Sequence, residues 1–155
     1  MSIELEPVAV VRSSRHELID DRWDGETSFI ELLPHINQIA LTGLDSFSHC
    51  LVVGYFDRAT DGQLVRHPRG NHSWPLVGIF AQRAKDRPNR LAISVCAIDR
   101  IDDNRLHVRG LDFVNGTPIL DIKPWMAEFG PRGDILQPTW SHELMATYWD
   151  DSSTD

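Results

Sequence analysis

This sequence predicts a mainly β, single-domain protein, a closed or nearly closed barrel with short helices, one of them at the C-terminus. Three observations lead there. Short runs of β-branched and apolar residues outnumber stretches with helical spacing. No strand–helix–strand alternation opens on a glycine-rich turn, and the ten glycines never form Gly-x-Gly-x-x-Gly, which excludes the doubly wound nucleotide-binding architecture. Several short strands with irregular connections then favour closure into a barrel. A chain of 155 residues is long enough to bury a sizeable core as one unit. That domain is expected over residues 1–149, followed by a disordered acidic tail at 150–155.

In chain order, Val8-Ala9-Val10-Val11 reads as a buried first strand, and Phe29 to Leu33 as a second, stopped by Pro34. The intervening polar segment carries Trp23, an aromatic set among acidic residues, which is either a hydrophobic plug or a stacking surface for a base. Ile36, Ile39, Ala40 and Leu44 fall at near-helical spacing, so a short helix is expected over 36–44. Cys50-Leu51-Val52-Val53 marks a central strand within 47–56. His49 starts it, and a histidine there is expected to be a hydrogen-bonded structural residue.

A long loop over 57–74, punctuated by Asp61-Gly62, His67-Pro68 and Gly70-Asn71, is of the length that usually carries function or moves. His67 and His72 lack a third ligand and sit in a basic segment, so no metal site is expected. Pro75 to Ala81 reads as a further strand. Ile93 to Ile101 and Arg105 to Leu111 form a hairpin around Asp102-Asp103-Asn104. Its second arm alternates, with Leu106, Val108 and Gly110 on one face and Arg105, His107 and Arg109 on the other. Residues 128–138 are Gly- and Pro-punctuated coil. Ser141 is placed to cap a last helix, on which Leu144 with Tyr148 and Met145 with Trp149 lie one turn apart.

Composition narrows the function classes. Hydrophobic residues at 41% and charged residues at 25% are the balance of a soluble globular chain. The N-terminus has no basic region followed by an apolar run, and no apolar segment is long enough to span a bilayer, so a cytoplasmic protein without membrane partners is expected. Cys50 and Cys96 both lie in apolar strand-like runs and read as two buried thiols. A net charge of −8 argues against generic nucleic-acid binding. The charge is unevenly spread, however. From Arg58 to Arg90, the basic residues Arg58, Arg66, Arg69, Arg83, Lys85, Arg87 and Arg90 are opposed only by Asp61 and Asp86, so this stretch reads either as a basic face for an anionic ligand or as a solvated loop.

Two polar clusters flank the hairpin at its open end. Arg83 to Arg90 concentrates charge beside the stiff Pro88 and the amide of Asn89. Asp112 to Thr117 contains the turn former Asn115-Gly116. Asp121 and Lys123 then fall on one side of the following strand.

Four strings occur here in order: Phe47-Ser48-His49, Phe80-Ala81-x-Arg83, Arg87-Pro88-Asn89 and Gly116-Thr117-Pro118-x-x-Asp121-Ile122-Lys123-Pro124. Together, over roughly Val8 to Pro124, they resemble the TsaA-like family of S-adenosylmethionine-dependent methyltransferases, whose characterised members N6-methylate threonylcarbamoyl-adenosine beside the tRNA anticodon. The resemblance implies a small β-barrel working as a homodimer, with the cofactor near the subunit interface. It implies cofactor contacts at Asp57, Arg58, Arg83, Ile93, Arg109, Gly110, Leu111 and Asp112, with Trp23 a further candidate. Arg83 suits the methionine carboxylate, Asp112 a ribose or adenine donor, and Ile93 with Leu111 the adenine face. Arg87, Asn89 and Arg90 are assigned to the substrate side, and Arg66 and Arg69 on the long loop to tRNA phosphates. Asp121 with Lys123 is either the proton acceptor and its partner or a structural ion pair.

The chain departs from the family's usual form at several points. Arg90-Leu91-Ala92 follows Arg-Pro-Asn where Pro-Ile-Gly is usual. Asn115 and Trp125 replace an Asp and a Tyr. Asp20-Asp21-Arg22-Trp23 stands near the place of a Pro-Arg-Gln motif, and the C-terminal domain of some members has no counterpart here. These departures keep open a small-molecule methyl acceptor, or a module that binds S-adenosylmethionine without turnover.

Overall fold

Six strands close on themselves in this computed structural model, which describes residues 1–151. In chain order the strands are β1 (Ala9–Ser13), β2 (Thr27–Leu32), β3 (His49–Tyr55), β4 (Val65–Arg66), β5 (Val77–Gly78), β6 (Leu91–Asp102), β7 (Arg105–Arg109) and β8 (Pro118–Pro124), followed by helix α1 (Thr139–Leu144). The barrel runs β1-β2-β7-β6-β3-β8, with every neighbour antiparallel and β8 returning to β1 through Ala9↔Ile119. β4 and β5 make a separate two-stranded ribbon. Of the expected tail, residues 152–155 lie outside the described residues, while Asp151 forms a bridge with Asp24.

Alternation along the strands fills the interior. Val11, Ile30, Cys50, Val52, Leu106, Val108 and Ile119 point inward and are fully buried, each of the aliphatic ones contributing about 1.5–3 kcal/mol by leaving water. β7 follows its predicted pattern, with Leu106 and Val108 inside and Arg105 and Arg109 exposed. Cys50 and Cys96 are buried free thiols facing each other across β3 and β6, their sulfurs 3.6 Å apart.

β6 is the corner of the barrel. It pairs with β3 from Leu91 to Ala97 and with β7 from Ala97 to Asp102. The register shifts between Ile98 and Arg100, a bulge that bends the strand from one neighbour to the other. From Leu91 to Cys96 its β7 side has no paired strand among the described residues. At the far end of β3 the register also shifts, between Val53 and Gly54. A Cβ on Gly54 would come within 2.7 Å of the Phe113 ring, so glycine is what lets that ring pack into the core.

Three predicted elements differ. The expected strand 75–81 is only Val77–Gly78, followed by a 3-10 turn at Ile79–Ala81; the Gln82 amide donates to the Arg66 and Val77 carbonyls, replacing a continued ladder. The expected helix over 36–44 is two 3-10 turns, Gln38–Leu41 and Leu44–Ser46, with left-handed Gly43 between them. The last helix starts earlier than Ser141, whose hydroxyl donates back to the Pro138 carbonyl rather than capping. It also ends at Leu144, so Tyr148 and Trp149 stand on turns beyond it and touch each other edge to face.

Candidate functional site

The sequence-predicted residues fall into three neighbourhoods. On the outer wall, register aligns Ile93–Val53–Asp121 in one row across β6, β3 and β8, and Val95–Leu51–Lys123 in the next. Strand spacing of about 4.8 Å puts the ends of each row roughly 10 Å apart. Asp121 Oδ2 is 2.8 Å from Lys123 Nζ, and both side chains are about half exposed or more. Asp121 Oδ1 accepts from the Ile122 amide. An exposed pair of this kind contributes little stability, so the fold does not depend on it. Between the ion pair and the open edge of β6 lies an apolar patch in which Leu91, Ile93 and Val95 are exposed.

The second neighbourhood is the mouth beside the open edge of β6. Arg83 donates to the Ile93 carbonyl at 2.9 Å, occupying an acceptor beyond the end of β7. The two arms of the hairpin do not end flush, because β7 stops at Arg109 opposite Ala97 while β6 continues to Leu91. A third element joins them: Tyr148 donates a hydrogen bond to Asp112 Oδ2 and lies within electrostatic reach of Arg83. Burial first, and then the negative charge of Asp112, raise the Tyr148 phenol well above its ordinary value, so it stays a donor. The other oxygen, Asp112 Oδ1, is buried without a partner. Leu111 beside it is buried. Gly110 takes a left-handed φ of 75° that turns the chain out of β7. Arg109 faces outward instead and pairs with Asp99 at the β6 bulge, at 2.8 Å.

The third neighbourhood is the loop layer. Asp57 and Arg58 follow β3 and are exposed, with Arg58 donating to the His16 carbonyl. Arg87 donates to the Gln82 carbonyl at 2.7 Å. Asn89 and Arg90 both adopt positive φ, 62° and 50°, uncommon for such residues and found where the surrounding structure enforces them. Proline cannot reach φ 50°, so the backbone at Arg90 is closed to proline. Arg90 also donates to the Ala59 carbonyl and lies over the Tyr55 ring. Gly62 lets the long loop pack on the Asp86–Arg87 backbone, since a Cβ there would meet the Asp86 carbonyl oxygen at 2.4 Å.

Much of the basic stretch is therefore engaged within the molecule. Arg69 forks onto Asp21 at 2.9 and 3.3 Å, and the Arg66 Nε is buried without a partner. Trp23 is buried rather than exposed, with Arg15 stacked 3.6 Å from its ring centre. His49 bonds Ser48 and His67 bonds the Trp74 carbonyl. Among the described residues no cluster of His, Cys, Asp or Glu could hold a metal, and no helix is long and apolar enough to cross a membrane.

Sequence reasoning missed two organising residues. Arg15 donates to the carbonyls of Ile19, Asp21 and Arg22 and so shapes the loop before β2. Tyr148 is the other. Neither lies in a recognisable motif. The Asn115-Gly116-Thr117 turn proves to be a seam: Asn115 Oδ1 accepts from Ser13, Gly116 donates to Val11, and the buried Thr117 hydroxyl bonds Val114.

A closed antiparallel barrel, with Arg83 and Asp112 at its mouth and a positive-φ turn at Asn89 and Arg90 in the loop layer, defines a β-barrel protein distinct from nucleotide-binding α/β folds. Residues 21–130 match the model of the tRNA-methyltransferase O N-terminal domain, and the chain belongs to that family. It is 34% identical over 138 residues to a Methanothermobacter thermautotrophicus protein named "Probable S-adenosyl-L-methionine-binding protein", covering 86% of this chain and 97% of that one. It is 31% identical over 104 residues to the human tRNA (adenine(37)-N6)-methyltransferase, covering 64% of this chain but 23% of the relative. A crystal structure of TrmO from Pseudomonas aeruginosa superposes with a TM-score of 0.72 at 30% identity, over 88% of this chain and 62% of that chain. The chain thus spans well under two thirds of the human relative and a little under two thirds of the solved one.

Proposed function

We propose that this protein is a cytoplasmic S-adenosylmethionine-dependent methyltransferase that N6-methylates threonylcarbamoyl-adenosine in tRNA near the anticodon, residues 1–149 acting as one domain within a homodimer. The observation that carries the reading is that the family match over 21–130 contains every candidate residue from Trp23 to Lys123. The residues also suit the cofactor, because Asp112 Oδ1 is a buried acceptor lacking a donor, as an adenosyl group requires, and Arg83 brings a guanidinium to the same mouth for a carboxylate.

S-adenosylmethionine, when bound, supplies an electrophilic methyl group on a charged sulfur. The chain's own task is to hold both reactants in line and keep water out. Arg83 and Asp112 bind, Ile93 and Leu111 cover the adenine, and Asp57, Arg58 and Gly110 line the approach. Arg87, Asn89 and Arg90 face the acceptor. Asp121, charge-balanced by Lys123, accepts the proton that the amine loses. The apolar outer face of Leu91, Ile93 and Val95 is the surface a second copy would cover, and it adjoins Asp121 and Lys123, in keeping with a site completed at a two-fold interface.

The test is incubation with methyl-labelled S-adenosylmethionine and total tRNA from a strain lacking the modification, followed by digestion to nucleosides. Label in a modified adenosine is expected. A second reading, methyl transfer to a small molecule or cofactor binding without turnover, is favoured by one observation: Arg69 and Arg87 are already held by internal acceptors, which reduces the basic face offered to RNA. Cofactor binding with no label transferred to tRNA would select it.

A further inference from the structure

The Asp112–Tyr148 contact joins a residue inside the family-matched span to one beyond its end at residue 130. Tyr148 is not there by chance packing of a loose end. The Trp23 amide donates to its carbonyl at 2.9 Å, and the Arg22 amide donates to Thr147 at 3.2 Å. The Thr147 hydroxyl bonds Asp21 Oδ2 at 3.0 Å, and Trp74 Nε1 donates to Glu143 at 2.7 Å. Two loops, those before β2 and between β3 and β5, thus fasten the segment that delivers the phenol.

A lone aspartate on a loop can present either oxygen and rotate between them. Here one oxygen is engaged by the phenol while the other, Oδ1, stays buried and unpartnered, a costly arrangement unless a donor arrives. We propose that Tyr148 is a positioning residue, clamping Asp112 Oδ2 so that Oδ1 is fixed toward a hydroxyl or amine donor on the adenosyl half of S-adenosylmethionine. The inference rests on the reading of Asp112 as a cofactor contact, and it assigns the C-terminal segment a part in ligand recognition.

The test is a double-mutant cycle with S-adenosylhomocysteine as the probe, affinities measured by calorimetry. Tyr148→Phe, which keeps the ring and removes only the donor, is expected to weaken binding about tenfold. Asp112→Asn is expected to weaken it at least as much. The double variant should bind like Asp112→Asn alone, because Tyr148 acts through Asp112. Analogues lacking the ribose hydroxyls, or carrying a dimethylated adenine amine, identify the donor, and one of them should lose its dependence on Asp112.

The sequence holds two tyrosines, so ring-labelled tyrosine gives one resonance for Tyr148 and one for Tyr55. The Tyr148 signal should move when S-adenosylhomocysteine is added, and an unchanged Tyr55 signal in Tyr148→Phe verifies that the barrel is intact. Full additivity of the two losses, wild-type affinity in Tyr148→Phe, or neither analogue losing its Asp112 dependence would overturn the clamp while leaving the cofactor reading standing. Wild-type affinity in Asp112→Asn would instead remove the cofactor reading and the clamp together.

Discussion

Arg83 has two acceptors to serve: the Ile93 carbonyl it holds at 2.9 Å and, in the proposed complex, the carboxylate of the cofactor. Replacing it with alanine should leave the barrel folded, since the side chain is exposed, and should cost about 2 kcal/mol of S-adenosylhomocysteine affinity; unchanged affinity by calorimetry would take Arg83 out of the site. Asp86 makes a prediction about stability. The Thr60 amide donates to its carboxylate, burial opposes the charge, and Lys85 adds a favourable charge, so its pKa lies below the ordinary carboxylate value. A depressed carboxylate stabilises the fold above its unfolded pKa, and that contribution is lost as pH falls through the folded value. Urea unfolding from pH 7 downward should therefore show wild type losing more stability across the acid range than Asp86→Asn does. Such residues differ in how far the sequence reveals them. Arg83 and Asp112 stand out as charged residues beside a hairpin. Tyr148 does not, because its partner is distant in sequence and the spacing around it reads as an amphipathic helix.

At the scale of elements, what could be read was periodicity. The turn at Asp103 and the inward Leu106 and Val108 follow from alternation, and β3 from its apolar run. What could not be read was closure. The pairing of β8 with β3 and β1, and the bulge that lets β6 serve two neighbours, depend on contacts far apart in the chain. The Val77–Gly78 strand reads as longer in the sequence because its apolar neighbours Leu76 and Phe80, exposed in the fold, look like strand residues. Gly54 tests the packing at the end of β3. Alanine there would force its Cβ against Phe113, and overpacking of this kind typically costs about 1–3 kcal/mol, measurable as a lower urea midpoint with an unchanged slope. The outer face of β6 tests assembly. Val95→Lys places a charge in the exposed row Leu91, Ile93, Val95 without entering the core. Light scattering should show a dimer for wild type and a monomer for the variant; a wild-type monomer at micromolar concentration with cofactor present would refute this interface.

For the molecule as a whole, the question is whether a chain of net charge −8 can hold a tRNA. The basic stretch from Arg58 to Arg90 is the candidate face, and the structure divides its members. Arg69 is committed to Asp21, which also accepts from Thr147, so Arg69 ties the long loop to the C-terminal segment. Arg66 has a buried, unpartnered Nε, and no carboxylate among the described residues holds it. If RNA binds here, log affinity should fall linearly with log salt, with a slope set by the number of phosphates neutralised. Arg66→Ala should reduce that slope by about one unit. Arg69→Ala should act differently: thermal stability falls because two loops lose their tie, while the slope stays close to that of wild type. The measurement is tRNA affinity from low to moderate salt for the three proteins, alongside their melting temperatures. An equal drop in slope for both variants would mean that Arg69 leaves Asp21 to reach phosphate. No tRNA affinity at low salt, with S-adenosylhomocysteine still bound, would end the RNA reading in favour of a small acceptor, for which neither arginine should affect turnover.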